Sequence, residues 1–165
     1  MSSHKEDGIS KEAHSRESLH KSVLLQEVVD GVNLPKGGTF IDATINGGGH
    51  STAIVERYGS DLTLLGVDAD VRALERAKQK LSSLKVRDLR LVESNFRHLK
   101  DVLQREKIST ANAILMDLGL SSDQLELSGR GFSFKRSEPL LMTYSENPQS
   151  LLQTAYGLVN HAPQA

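Results

Sequence analysis

Apolar residues along this chain recur first with a helical period, then in short strand-like runs, and the two patterns go on alternating. Val23, Leu24, Leu25, Val28, Val29 and Val32 form one helical stripe that ends before Pro35-Lys36-Gly37-Gly38, a turn composition. Residues 39–45 are β-prone and stop in Asn46-Gly47-Gly48-Gly49, and a helical segment through Ala53, Ile54 and Tyr58 follows as far as Gly59. Residues 62–67 are almost wholly apolar, as in a parallel strand covered on both faces, and the run ends at Asp68. Asp70 is placed to cap a helix whose Val71, Leu74, Ala77 and Leu81 recur at three- and four-residue steps, with Lys78 and Lys80 near its C-terminal end. A strand at residues 89–92, a helix carrying Leu99, Val102 and Leu103, and an apolar strand at 113–116 ending in Asp117-Leu118-Gly119 continue the series.

Strands and helices alternating through short connections predict a parallel sheet with right-handed crossovers, which binds ligands outside the carboxyl ends of its strands. Residues 46–50, Asp68, Asn95-Phe96 and Asp117 fall at those ends. Beyond Gly119 the pattern weakens into Ser, Gly, Arg and Glu, so the predicted sheet has fewer strands than a full doubly wound domain. No internal repeat is present. Residues 1–18 carry almost nothing apolar, cannot offset their ordering entropy by burial, and read as a disordered leader.

Composition narrows the class. The 165 residues are 38% hydrophobic, enough for one core and one domain. Charges make up 25% of the chain and nearly cancel at −1, so no global positive field draws it to nucleic acid, and any RNA contact needs a local patch. The absence of cysteine excludes disulfides and thiolate metal sites and fits a reducing compartment; cytoplasm is the expected location and no metal is expected in the site. No stretch approaches the roughly 18 apolar residues of a membrane helix, and the polar N-terminus lacks a signal peptide's apolar core.

The glycines after the first strand let the backbone turn sharply and approach a ligand where a Cβ would collide, and Asp68, ending the second strand about twenty residues on, can accept both hydroxyls of a ribose. The two together specify an adenosine-type ligand. A dinucleotide site would need the spaced G-x-G-x-x-G/A fingerprint, whereas Gly47-x-Gly49 is followed by Thr52 in the last place. S-adenosylmethionine presents an ammonium and a carboxylate instead, for which Asp42 and the loop amides are available. Other readings stay open from the residues alone. The glycines can be a plain turn, His50 a structural histidine, Phe96 a core side chain, Asp117 an orienter of loop or cofactor, and Ser121 and Ser122 turn or cap residues.

The motifs then become specific. From His20 the chain runs His20-Lys21-Ser22-Val23-Leu24-Leu25-Gln26-Glu27-Val28, then Asp42-Ala43-Thr44, Gly48-Gly49-His50-Ser51, Gly66-Val67-Asp68-Ala69-Asp70 and Asn95-Phe96. Two longer pieces follow, Met116-Asp117-Leu118-Gly119-Leu120-Ser121-Ser122-Asp123-Gln124-Leu125 and Arg130-Gly131-Phe132-Ser133-Phe134. In order and spacing the chain resembles the ribosomal small-subunit (16S) RNA cytosine-N4 methyltransferases over residues 20–160.

The resemblance implies an α/β, Rossmann-like class I methyltransferase sheet, incomplete on its C-terminal side. It implies an S-adenosylmethionine pocket lined by Gly48, Gly49, His50, Asp68, Phe96, Asp117 and Gln124. Methyl transfer would go to the N4 amine of a cytosine in small-subunit ribosomal RNA or the 30S particle, with Arg130, Phe132, Phe134 and Arg136 contacting RNA; Asp117, by its position at the end of the fourth strand, is the candidate catalytic residue. Cations beside aromatics suit phosphates and a splayed base; by composition alone the same stretch is a solvated loop with two buried Phe. The chain departs from the family pattern at Asn46, commonly glycine, and at Leu141 and Thr143, where an acid and a base are usual. Family members are also longer. The expected division is a leader at 1–18, a cofactor-binding domain at 19–145, and at 146–165 the start of a helical insert or a truncated tail. Two rivals remain, a nicotinamide oxidoreductase, whose fingerprint and hydride-handling residues are not apparent, and a catalytically incomplete relative that binds a nucleoside or RNA without turnover.

Overall fold

The computed structural model of the protein describes residues 22–145, 147, 148 and 150–163. The leader read from residues 1–18 lies outside the described residues. Strands β1 (Thr39–Asp42), β2 (Thr63–Asp68), β3 (Asp88–Glu93) and β4 (Ala113–Leu115) form one parallel sheet in the order β3-β2-β1-β4. Phe40 sits opposite Leu64 on one side and Ala113 on the other. Every residue of β2 is buried, as its unbroken apolar run requires.

The connecting helices are α1 (Leu25–Gly31), α2 (Gly49–Tyr58), α3 (Val71–Leu81) and α4 (Leu99–Arg105), with a 3-10 turn at Phe96–His98. Successive strand residues point to opposite faces of a sheet, and the core divides accordingly. Phe40, Ile45, Leu64, Ile54, Leu74 and Leu81 pack on one face. Ile41, Leu65, Val67 and Val102 pack on the other. Helices cover both faces of a parallel sheet whose first strand is central, which is the Rossmann-like plan.

Two elements differ from the sequence pattern. The first helix begins at Leu25, because Leu24 takes a left-handed conformation (φ 53°) and breaks the stripe. Val23 and Leu24 are exposed, and the Val23 carbonyl accepts a hydrogen bond from His50 Nε2 at 3.0 Å. The last strand is apolar yet poorly covered, with Ile114 49% exposed. Among the described residues β4 pairs with β1 alone, so it forms the edge of the sheet.

After β4 the chain forms no strand among the described residues. It makes α5 (Ser122–Glu126), a 3-10 turn at Leu151–Gln153 and α6 (Ala155–His161), which hydrogen-bonds back through Ala155 N to Leu141 O (2.9 Å) and Tyr156 N to Leu140 O (2.8 Å). Among the described residues no helix is long and apolar enough to cross a membrane.

Candidate functional site

Three strand ends bring acidic side chains together, and their surroundings separate them. Asp42 ends β1 only 1% exposed; Ser51 Oγ donates to it at 2.7 Å and the Thr44 amide at 3.3 Å. Burial pushes its carboxyl from 3.8 up to about 6, against the lowering effect of those two hydrogen bonds and of His50. The ammonium partner expected at Asp42 is therefore not available there: the carboxylate is sealed against α2 and is absent from the cavity lining.

Asp68 ends β2 with one oxygen accepting from the Asn46 amide and the other from the Asp70 amide, both at 2.9 Å. Burial raises its pKa, those amides oppose the rise, and the charge of Asp70 adds to it. The Asn46 amide reaches Asp68 because Asn46 adopts a left-handed conformation, φ 48°, which Asn tolerates better than most residues. Asp70 caps α3, its Oδ1 accepting from the Arg72 amide at 3.0 Å.

A cavity of about 310 Å³ opens at the carboxyl ends of the strands. Of the residues expected to hold a cofactor, Asp68, Phe96, Asp117 and Gln124 line it. Gly48, Gly49 and His50 are outside its lining, and both glycines have close neighbours. Gly48 has φ 75°, and a Cβ there would press on Ala77 of α3, while a Cβ on Gly49 would collide with Ser22 Oγ. His50 is buried, with Nδ1 3.9 Å from Asp117 Oδ2.

Asp117 follows β4 with its side chain 46% exposed and its amide donating to Thr44 Oγ1 at 2.7 Å. Ser121 and Gln124 form a reciprocal cap on α5: the Ser121 amide donates to Gln124 Oε1 (3.0 Å) and the Gln124 amide to Ser121 Oγ (3.2 Å). Ser121 is thus a cap residue, as the plainer reading allowed. Asn46, Asn95 and Tyr144 also line the cavity. Tyr144 had no sequence signal, since it stands far along the chain in a segment with no period.

The cation–aromatic segment divides. Arg130, expected to face RNA, is buried, and its Nη2 lies 2.6 Å from Asp70 Oδ2. An internal carboxylate has taken the place of a phosphate. Phe132 is half-buried, its ring 6.1 Å from that of Tyr144. Phe134 is 99% exposed and Arg136 is exposed, so the loop does not hold two buried Phe. Thr143, where the resembling family carries a base, is buried and donates to Ser145 O at 2.8 Å. Among the described residues no group of three acidic, histidine or cysteine side chains is placed to hold a metal.

Residues 17–165 match the model of the MraW methylase family. The chain belongs to this family. Two curated relatives are both called ribosomal RNA small subunit methyltransferase H. The one from Clostridium botulinum is 36% identical over 145 residues, covering 88% of this chain and 45% of the relative. The one from Brevibacillus brevis is 38% identical over 141 residues, covering 86% and 44%. The chain thus spans a little under half the length of these relatives. Among solved structures, an rRNA methylase from Streptococcus thermophilus aligns over 58% of this chain and 52% of its own at 18% identity, with a TM-score of 0.45, too loose a likeness to carry an argument.

The residues present fit an adenosine group. A carboxylate held by two backbone amides at the end of β2 is a preorganised acceptor for ribose hydroxyls, and the half-exposed Phe96 ring offers an apolar face to a base.

Proposed function

We propose that this chain carries the S-adenosylmethionine-binding part of a methyltransferase acting on the N4 amine of a cytosine in small-subunit ribosomal RNA. The observation that carries this reading is the cavity at the strand ends, with both Asp68 and Asp117 in its lining, in a member of a methylase family. S-adenosylmethionine, when bound, supplies a methyl group on a sulfonium, an electrophile that needs an aligned amine. Asp68 would accept the ribose hydroxyls and fix the ligand's orientation. Asp117, partly exposed and anchored by its own amide on Thr44, would accept a hydrogen bond from the cytosine amine, aligning its lone pair and taking up the proton it loses. Phe134, with Lys135 and Arg136 beside it, is presented to solvent, where a splayed base can stack and phosphates can pair. A cytoplasmic setting suits this substrate and a chain free of cysteine.

Calorimetric titration with S-adenosylmethionine and with NAD, on the chain and on Asp68→Ala, tests the reading. Saturable binding of the first alone, weakened at least tenfold by the substitution, supports it, and N4-methylcytidine found in treated small subunits by nucleoside mass spectrometry completes it. Preference for NAD overturns it. A second reading, a nucleoside- or RNA-binding piece without turnover, is favoured by one observation. Ile114 and Met116 are exposed beside Asp117, so that flank of the site is open to water. Cofactor binding with no methyl transfer would select it.

A further inference from the structure

The Asp70–Arg130 pair joins residues 60 apart in sequence. Neither belongs to the cavity lining, yet each is bonded to residues that do. Asp70 donates its amide to Asp68 Oδ1 (2.9 Å) and accepts from the Arg72 amide at its own Oδ1 (3.0 Å). Its Oδ2 takes the Arg130 guanidinium at 2.6 Å. On the other side Arg130 Nη1 donates to the Tyr144 carbonyl, and the Met142 amide donates to the Arg130 carbonyl at 2.7 Å. The Tyr144 side chain then lines the cavity, with its hydroxyl 3.4 Å from the Gly119 carbonyl. Asp68, Asp70, Arg130 and Tyr144 are therefore one unbroken series of bonds joining two residues of the cavity lining.

We infer that Arg130 is a positioning residue for the nucleoside pocket: acting through Asp70 and the Tyr144 backbone, it docks the 130–145 segment onto the loop that follows β2 and so fixes Tyr144 in the cavity lining. The energetics favour a geometric role over plain stabilisation. The pair is almost fully buried, and Arg130 Nε is also buried without a hydrogen-bond partner. A buried ion pair with an unsatisfied donor stabilises a fold little better than apolar residues of similar volume, whereas loss of one partner leaves a costly lone charge. The segment is thus docked with the pair formed, or undocked with both charges in water. A guanidinium consumed in this way is also removed from RNA recognition.

The identity of the ligand rests on the function proposed above, and the experiment keeps the two separable. Amide exchange over residues 140–145 is measured on the ligand-free chain, and S-adenosylmethionine affinity by calorimetry, for the unaltered chain, Arg130→Met, Arg130→Lys and Asp70→Asn. Asn at position 70 retains the α3 cap while removing the charge, so that one variant folds even where another fails. The expected result is exchange at least tenfold faster and affinity weakened at least tenfold in Arg130→Met and Asp70→Asn, with partial recovery of both in Arg130→Lys. Unchanged exchange overturns the docking role whether or not the chain binds S-adenosylmethionine. Faster exchange with unchanged affinity overturns the link to the pocket. If the unaltered chain binds no S-adenosylmethionine, the functional reading falls, and the exchange arm alone decides the docking role.

Discussion

Asp42 and Asp68 are both strand-end carboxylates with raised pKa values, but their surroundings give them different consequences. Folding favours the neutral form of Asp42, so this group's contribution to stability is complete below its unfolded value of 3.8 and is lost as pH rises through about 6. At 1.36 kcal/mol per pH unit the span corresponds to about 3 kcal/mol. Asp42→Asn, which still accepts from Ser51 and cannot ionise, is expected to gain stability relative to the unaltered chain by roughly that amount between pH 4 and pH 7. Urea midpoints across the range would show it, and a flat difference would refute it. Asp68 faces the cavity, and protonation removes its best acceptor. Cofactor affinity should therefore fall on acidification, beginning above the ordinary carboxylate range, and calorimetry from pH 8 to pH 5 should find that dependence abolished in Asp68→Asn. The strand-end positions of both residues were legible in the sequence. Their division of labour was not, because it depends on whether Ser51 of the next helix or open space faces each carboxylate.

At the scale of the element, the strands and helices were readable because period and punctuation agree: β2 is apolar throughout, and α3 carries its cap and its stripe together. The misreading at α1 arose because Val23 and Leu24 fit the helical period but are held off the helix by a left-handed turn and by the bond to His50, neither of which leaves a mark in hydrophobicity. Within β2, Gly66 sits where two neighbouring side chains leave little room. A Cβ there would collide with the end of the buried Ile45 side chain and lie 2.8 Å from that of the partly buried Leu91. Gly66→Ala should destabilise the chain by about 1–3 kcal/mol through overpacking, read as a lowered urea midpoint with secondary structure intact.

For the molecule as a whole, the cavity draws on the ends of all four strands and on Tyr144. Local pattern located the strand ends. It could not locate Tyr144, or foresee that Arg130 pairs with a carboxylate 60 residues away, since an arginine among aromatics reads alike whether it meets a phosphate or an aspartate. The edge at β4 has its own consequence, because an exposed apolar edge strand can template pairing between chains. Ile114→Lys should keep the protein monodisperse at higher concentration by light scattering, with little change in its urea midpoint.

The 60-residue reach of the Asp70–Arg130 pair also sets an order of events during synthesis. The four strands can assemble once Leu115 has left the ribosome, but Asp70 then has no guanidinium, and the wall that Tyr144 provides does not yet exist. At ordinary rates of synthesis the gap before Tyr144 emerges is about 1–6 s. For that interval the nascent chain has its sheet but not the part of the cavity lining that Tyr144 supplies.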